Sequence, residues 1–160
     1  MAGRQQRDIN GPWSLRQVAA TSGLSTRTIT RLTDLGWLAA PYSFSDICVA
    51  RVGSALLDAP RSPGVTSLQA LTSHRIRNDE AISLARATAR ASAKSEPPPE
   101  SRWLIVGLDN ATIADNPFEL AQQFHERTTG ALVLPLGRWA LEARHAAERG
   151  TPTSARGAEQ

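Results

Sequence analysis

From Trp13 onward, apolar side chains return at helical intervals, punctuated by Ser, Thr and Gly at the positions where helices begin and end. Leu15, Val18 and Ala19 form a short stripe. Ser14 with Gln17 three residues later has the spacing of a capping box, which predicts a helix over 14–21. Gly23 interrupts the pattern, Leu24 restores an apolar contact, and Ser25 stands as an N-cap before Ile29, Leu32 and Leu35. The second helix should cover 26–34 and end at Leu35-Gly36, since glycine readily takes the left-handed conformation at a helix C-terminus. A third helix over 46–58, capped by Ser45, places Ile47, Val52, Leu56 and Leu57 near one face. Thr66 with Gln69 repeats the capping-box spacing and opens a short helix through Leu68, Leu71 and Ile76. An alanine-rich helix over 78–93 follows, with acids at its start and Arg86 and Arg90 later.

The segment "KSEPPPES" breaks this run, because consecutive prolines cannot continue a helix and favour an extended spacer. Beyond it the period changes. "WLIVGL" and "ALVLPL" are short continuous apolar runs of the kind found in buried strands, while "PFELAQQFHERT" and "RWALEARHAAER" read as helices. The order β-α-β-α predicts two parallel strands joined by a crossover. The expected fold is mostly α with a small α/β C-terminal unit. It is expected to divide into a disordered arm over 1–12, a helical domain over 13–76, a connecting helix over 77–93, a Pro-rich linker over 94–101, an α/β unit over 102–149 and a disordered tail over 150–160.

Charge adds an asymmetry. Residues 1–92 hold 11 Arg against 6 Asp plus Glu, a net of +5, whereas 93–160 hold 7 Arg plus Lys against 9 acids, a net of −2. A positive field concentrated in the helical part attracts polyanions. Cys48 is the sole cysteine, so no disulfide framework or thiol cluster is available, and its apolar neighbours suit a small buried hydrophobe. His74, His125 and His145 are widely spaced, which gives no metal-ligand pattern. Apolar runs are far shorter than a bilayer span and the N-terminus is polar, so a soluble, cytoplasmic, nucleoid-associated chain without a membrane partner is expected.

Two short helices joined by a glycine-containing turn describe a helix-turn-helix, whose second helix lies in the major groove of double-stranded DNA. With Ile29 and Leu32 inward, Thr26, Arg27, Thr30 and Arg31 face outward, with Thr28 at the margin. Arginine suits base reading because its planar fork donates two parallel bonds to guanine O6 and N7, and threonine can hydrogen-bond or pack its methyl on thymine. Which arginine reads a base and which clamps a phosphate is left open by the pattern.

The string "WSLRQVAATSGLSTRTITRLTDLGWLAAPYSFSD", with "GVTSLQAL" downstream, resembles the MerR-like winged helix-turn-helix regulators and their excisionase-like relatives over about residues 13–72. The resemblance implies a winged helix-turn-helix domain in which Ser25, Thr26, Arg27, Thr28, Thr30 and Arg31 approach DNA, Arg16 supports from the first helix, and Tyr42 lies in the wing. The loop lacks the basic residue common in the family's wing, which leaves the second helix to supply most of the specificity.

Asp109, Asp115 and Glu119 gather near the ends of the C-terminal strands, where ligands of α/β sheets bind. No phosphate loop, nucleophile motif or partnered carboxylate accompanies them, and Asx-turns or helix caps account for "DNATIADNP". No catalytic residue, metal or cofactor is therefore expected. So small a unit buries little surface alone. Trp103, Ile105, Phe118, Phe124 and Trp139 are the candidate surface for a homodimer or a protein partner, with the helix over 78–93 (Ile82, Leu84, Ala85, Ala89) as the alternative dimer seam. The expected function is a sequence-specific DNA-binding regulator acting as a dimer. The alternatives are an architectural or plasmid/phage accessory DNA-binding factor, and an adaptor that recruits a protein to DNA.

Overall fold

The computed structural model describes residues 12–58, 68–94, 96–126 and 131–149, with backbone alone for 68–74. It is mostly helical with a small three-stranded antiparallel sheet. The predicted arm, the Thr66–Gln69 capping box and the tail lie outside the described residues, apart from Pro12 and the Gln69 backbone.

Helix α1 (Leu15–Ser22) starts on the complete capping box: Gln17 N–H donates to Ser14 Oγ at 3.1 Å and Ser14 N–H to Gln17 Oε1 at 2.7 Å. Gly23, at φ 74°, closes it and turns the chain into α2 (Thr26–Asp34). There Ser25 Oγ accepts the Thr28 N–H. Gly36, at φ 81°, reverses the chain after α2. This reversal corrects one expectation. Leu35 is the C-cap and stands 49% exposed, while Leu38 folds back into the core in its place. The exit loop then meets Trp13 in a single antiparallel bridge at Tyr42.

Helix α3 (Phe44–Asp58) starts two residues before the predicted 46, and Ser45 lies inside it. Asp46 Oδ2 reaches back to the Ser43 N–H at 2.7 Å, so the helix start is fixed by an acid at its third position. Rather than burying one face, α3 is buried all round from Phe44 to Ala50, because α1, α2, α4 (Leu68–Ala91) and α6 (Leu136–Arg149) all pack on it. Gly53 makes the α2 approach possible: a methyl there would meet Leu32 Cδ2 at 2.9 Å.

The two predicted helices around Asn78 are one, α4 (Leu68–Ala91). Asn78 does not cap a new start, because its Oδ1 is taken by the Arg77 guanidinium at 2.8 Å and 3.1 Å. Helix α4 buries Ala81, Ile82, Ala85 and Ala89, and α6 (Leu136–Arg149) buries Leu136, Ala140, Ala143 and Ala147. Small side chains on both stripes let the helices pack closely on each other and on α3. Burial also occupies Ile82, Ala85 and Ala89 of the alternative dimer seam and leaves Leu84 half-buried.

The two-strand parallel prediction is corrected. The chain forms β1 (Trp103–Val106), β2 (Ala111–Ala114) and β3 (Leu132–Leu134) in the order β2-β1-β3, and both neighbours of β1 are antiparallel to it. A tight turn in which Gly107 N–H donates to Asn110 O at 2.8 Å returns the chain as β2. A strand–helix–parallel strand unit does exist, through α5 (Pro117–Glu126), but it links β2 to β3 with β1 between them. Leu104, Val106, Ala111 and Leu134 face α4 and α6 and join a hydrophobic core running from Val18 to Ala147. Residues 96–101 carry no helix or strand. They pass so close to α6 that a methyl at Gly137 would collide with the Pro99 and Glu100 carbonyls.

Candidate nucleic-acid interface

Ile29 and Leu32 are fully buried against α3, and this register turns Thr26, Arg27, Thr30 and Arg31 to solvent. Ser25 is exposed and Thr28 half-buried, and the two share a hydroxyl contact of 2.9 Å besides the backbone cap. Thr30 Oγ1 donates to the Thr26 carbonyl at 2.9 Å. Arg16 stands exposed on α1. Apart from the half-buried Thr28, these residues are exposed on two adjoining helices. No acid lies in the first turn of α2, at the positive end of its dipole.

Tyr42 departs from the expected wing position. It is buried, and its hydroxyl pairs with Thr33 Oγ1 at 2.8 Å, while Thr33 also donates to the Ile29 carbonyl. Tyr42 is thus a brace under the C-terminal turn of α2 rather than a surface contact. The reason is the Trp13 bridge, which draws the loop strand inward.

The arginines divide by partner. Arg51 pairs with Glu142, Arg86 with Asp46, Arg102 with Asp115, Arg138 with Glu142 and Arg144 with Glu148. Arg77 donates to the Gly107 carbonyl at 3.0 Å, and desolvation by burial lowers its pKa. Four of these side chains tie the C-terminal unit to the helices: Arg51 to α6, Arg77 to the β1–β2 turn, Arg102 to Thr88, and Arg144 to the Ser92 carbonyl at 2.6 Å. By contrast the side chains of Arg16, Arg27 and Arg31, like those of Arg75, Arg90 and Arg149, make no hydrogen bond or ion pair among the described residues.

Support for the exit of α2 comes from further along the chain. Arg86 of α4 bonds Asp46 and the Trp37 carbonyl, and Trp37 Nε1 donates to Asp79 at 3.3 Å. Arg86 and Asp79 were missed in the sequence because their partners lie about forty positions away, where no local pattern connects them.

The acidic candidates have structural partners. Asp115 holds Arg102 by two bonds of 2.6 Å and 3.1 Å, Glu119 accepts the Asp115 N–H at 2.7 Å, and Asn116 Oδ1 caps α5 through Glu119 N–H. Asp109 lies exposed in the turn, as do His125 and His145 on their helices. Cys48 is wholly buried, and desolvation pushes its thiol up to about 12. Among the described residues no three His, Cys, Asp or Glu gather as a metal group, and no helix is long and apolar enough to cross a membrane.

The proposed assembly residues are scattered. Ile105 is fully covered within the chain, Trp103 and Trp139 are half-buried, and Trp139 lies 6.0 Å from the Arg51 guanidinium. Phe118 is 78% exposed and Phe124 42% exposed on α5, a helix with no fully buried residue. No family model matches the chain, and no curated protein and no solved structure is similar to it.

Proposed function

We propose that the chain is a sequence-specific double-stranded DNA-binding protein, a regulator of MerR-like winged helix-turn-helix type that acts as a dimer. Helix α2 enters the major groove and α1 crosses the backbone. The observation that carries this reading is the pair Arg27 and Arg31. Both are exposed one helical turn apart above the buried Ile29 and Leu32, and both lack a partner among the described residues. An exposed, uncompensated guanidinium is available to a phosphate or a base edge. Arg16 supplies a backbone contact from α1, and Ser25, Thr26, Thr28 and Thr30 line the approach. Tyr42 is not in the contact set. Dimerisation, through the exposed Phe118 and Phe124 of α5, matches two recognition helices to half-sites about 34 Å apart or a multiple of it.

Fluorescence anisotropy with labelled duplexes at several salt concentrations tests the reading. Binding should weaken steeply as salt rises. Arg27→Ala and Arg31→Ala should each lower affinity without changing the unfolding midpoint, since neither side chain touches the core. Equal affinity of both variants and the parent chain would dismiss the proposed face.

A further inference from the structure

The hydroxyl groups of α2 are largely occupied by α2 itself. Ser25 and Thr28 are joined at the cap, Thr30 donates to the Thr26 carbonyl, and Thr33 is held between the Ile29 carbonyl and Tyr42. The exposed face is left with the guanidinium forks of Arg27 and Arg31, the Thr26 hydroxyl, and the methyls of Thr26 and Thr30. The helix carries no Asn or Gln, which would bond adenine N6 and N7, and its one acid, Asp34, lies at the far end from the groove-entering turn. Gln17, the nearest amide on α1, is committed to the capping box. The side-chain chemistry present thus matches guanine through O6 and N7, and thymine through its C5-methyl.

Resting on the DNA reading above, we infer that Arg27 and Arg31 both read guanines, and that each half-site carries two guanines with thymine methyls beside them. Positions i and i+4 lie about 6 Å apart along a helix. Successive base pairs are about 3.4 Å apart, so the guanines stand about two base-pair steps from each other. Neither arginine is anchored by an acid or a carbonyl among the described residues, so both forks are free to turn edge-on to a base.

Selection of the full chain on a randomised duplex library, followed by atom-level changes in the selected site, tests this. The selected half-site should contain two guanines at that spacing. Replacing either with 7-deazaguanine, which lacks the N7 acceptor, should weaken binding about tenfold, and replacing the adjacent thymine with deoxyuridine about fourfold. Arg31→Lys keeps the charge but loses the fork, so it should relax discrimination at one guanine by at least about fivefold while binding persists. A selected site without the spaced guanines, or full affinity for the 7-deazaguanine duplexes, would overturn the inference and leave DNA binding standing. Failure to bind any duplex at low salt would overturn the DNA reading itself.

Discussion

Arg86 donates to Asp46 Oδ1 at 2.9 Å, and its second terminal nitrogen donates to the Trp37 carbonyl at 2.8 Å. One guanidinium on α4 therefore fixes both the exit of α2 and the start of α3. Asp46 is 2% exposed and already accepts from Ser43 N–H, so removing its carboxylate leaves a partly buried cation and an unbonded amide. Asp46→Ala should cost about 3 kcal/mol, the lower end for a buried pair because Arg86 keeps some access to water. Urea unfolding measures it. A loss under about 1 kcal/mol, typical of surface pairs, would mean that the clamp is dispensable.

Gly137, the second residue of α6, approaches the Pro99 and Glu100 carbonyl oxygens and donates its own N–H to Arg102 O at 2.9 Å. Alanine normally stabilises a helix by up to about 1 kcal/mol over glycine. Here the methyl must displace backbone, and overpacking of that kind costs about 1–3 kcal/mol. Gly137→Ala should therefore lower the unfolding midpoint, and a raised midpoint would show that residues 96–101 move aside freely.

What the sequence disclosed and what it hid follow the range of the interactions. Ser14, Gln17, Ser25 and Gly23 act on neighbours within four positions, so the caps and the turn of the candidate site were readable, as was the inward register of Ile29 and Leu32. Leu35 misled because the periodicity was carried past the helix end, where the Gly36 reversal replaces it with Leu38. Tyr42 misled for a longer-range reason, since its burial depends on Trp13 and Thr33. In the C-terminal unit, "ATIA" lies among Asp and Asn residues that read as loop, and its strand pairing depends on the adjacent β1. Once β2 is missed, the parallel partner of β3 is assigned to β1 by default.

The Arg51–Glu142 pair joins α3 to α6. The Glu142 carboxyl is held below the usual glutamate range, chiefly by the hydrogen bond from Arg51, against a smaller opposing effect of desolvation and with help from Arg138. A depressed folded-state pKa means that the folded chain binds fewer protons. The contribution is full above the unfolded glutamate value and is lost as pH falls through the folded one. Because Glu142 is nearly half exposed, Glu142→Gln should cost under about 1 kcal/mol at neutral pH. Below about pH 4.3 the difference from the parent should shrink. Urea midpoints of both proteins at neutral and acidic pH provide the check; an equal gap at both would refute the assignment.

Truncation after residue 94 would remove β1, β2, β3, α5 and α6, stripping cover from α4 and α3. Helix α4 would then lose its packing on α6, β1 and β2, and Arg51 and Arg77 would lose their partners in the removed segment. The helical portion alone should lose cooperative unfolding and bind hydrophobic dyes. A sharp transition in calorimetry, with the midpoint of the intact chain, would instead show that the helices are self-sufficient.

Assembly is better probed by surface change than by truncation. Phe118 and Phe124 contribute little to the chain's own core, since α5 has no fully buried residue and is tied to β2 by Gln123, whose Oε1 accepts from Thr112 and whose Nε2 donates to the Ile113 carbonyl. A double change, Phe118→Ser with Phe124→Ser, should leave the unfolding midpoint of a dilute sample within about 0.5 kcal/mol of the parent, as for most surface positions. If α5 is the dimer surface, sedimentation of that variant should shift from dimer to monomer at concentrations where the parent is paired. Binding to a two-half-site duplex should fall with it, while affinity for a single half-site is kept. A variant that still sediments as a dimer would move the interface away from α5.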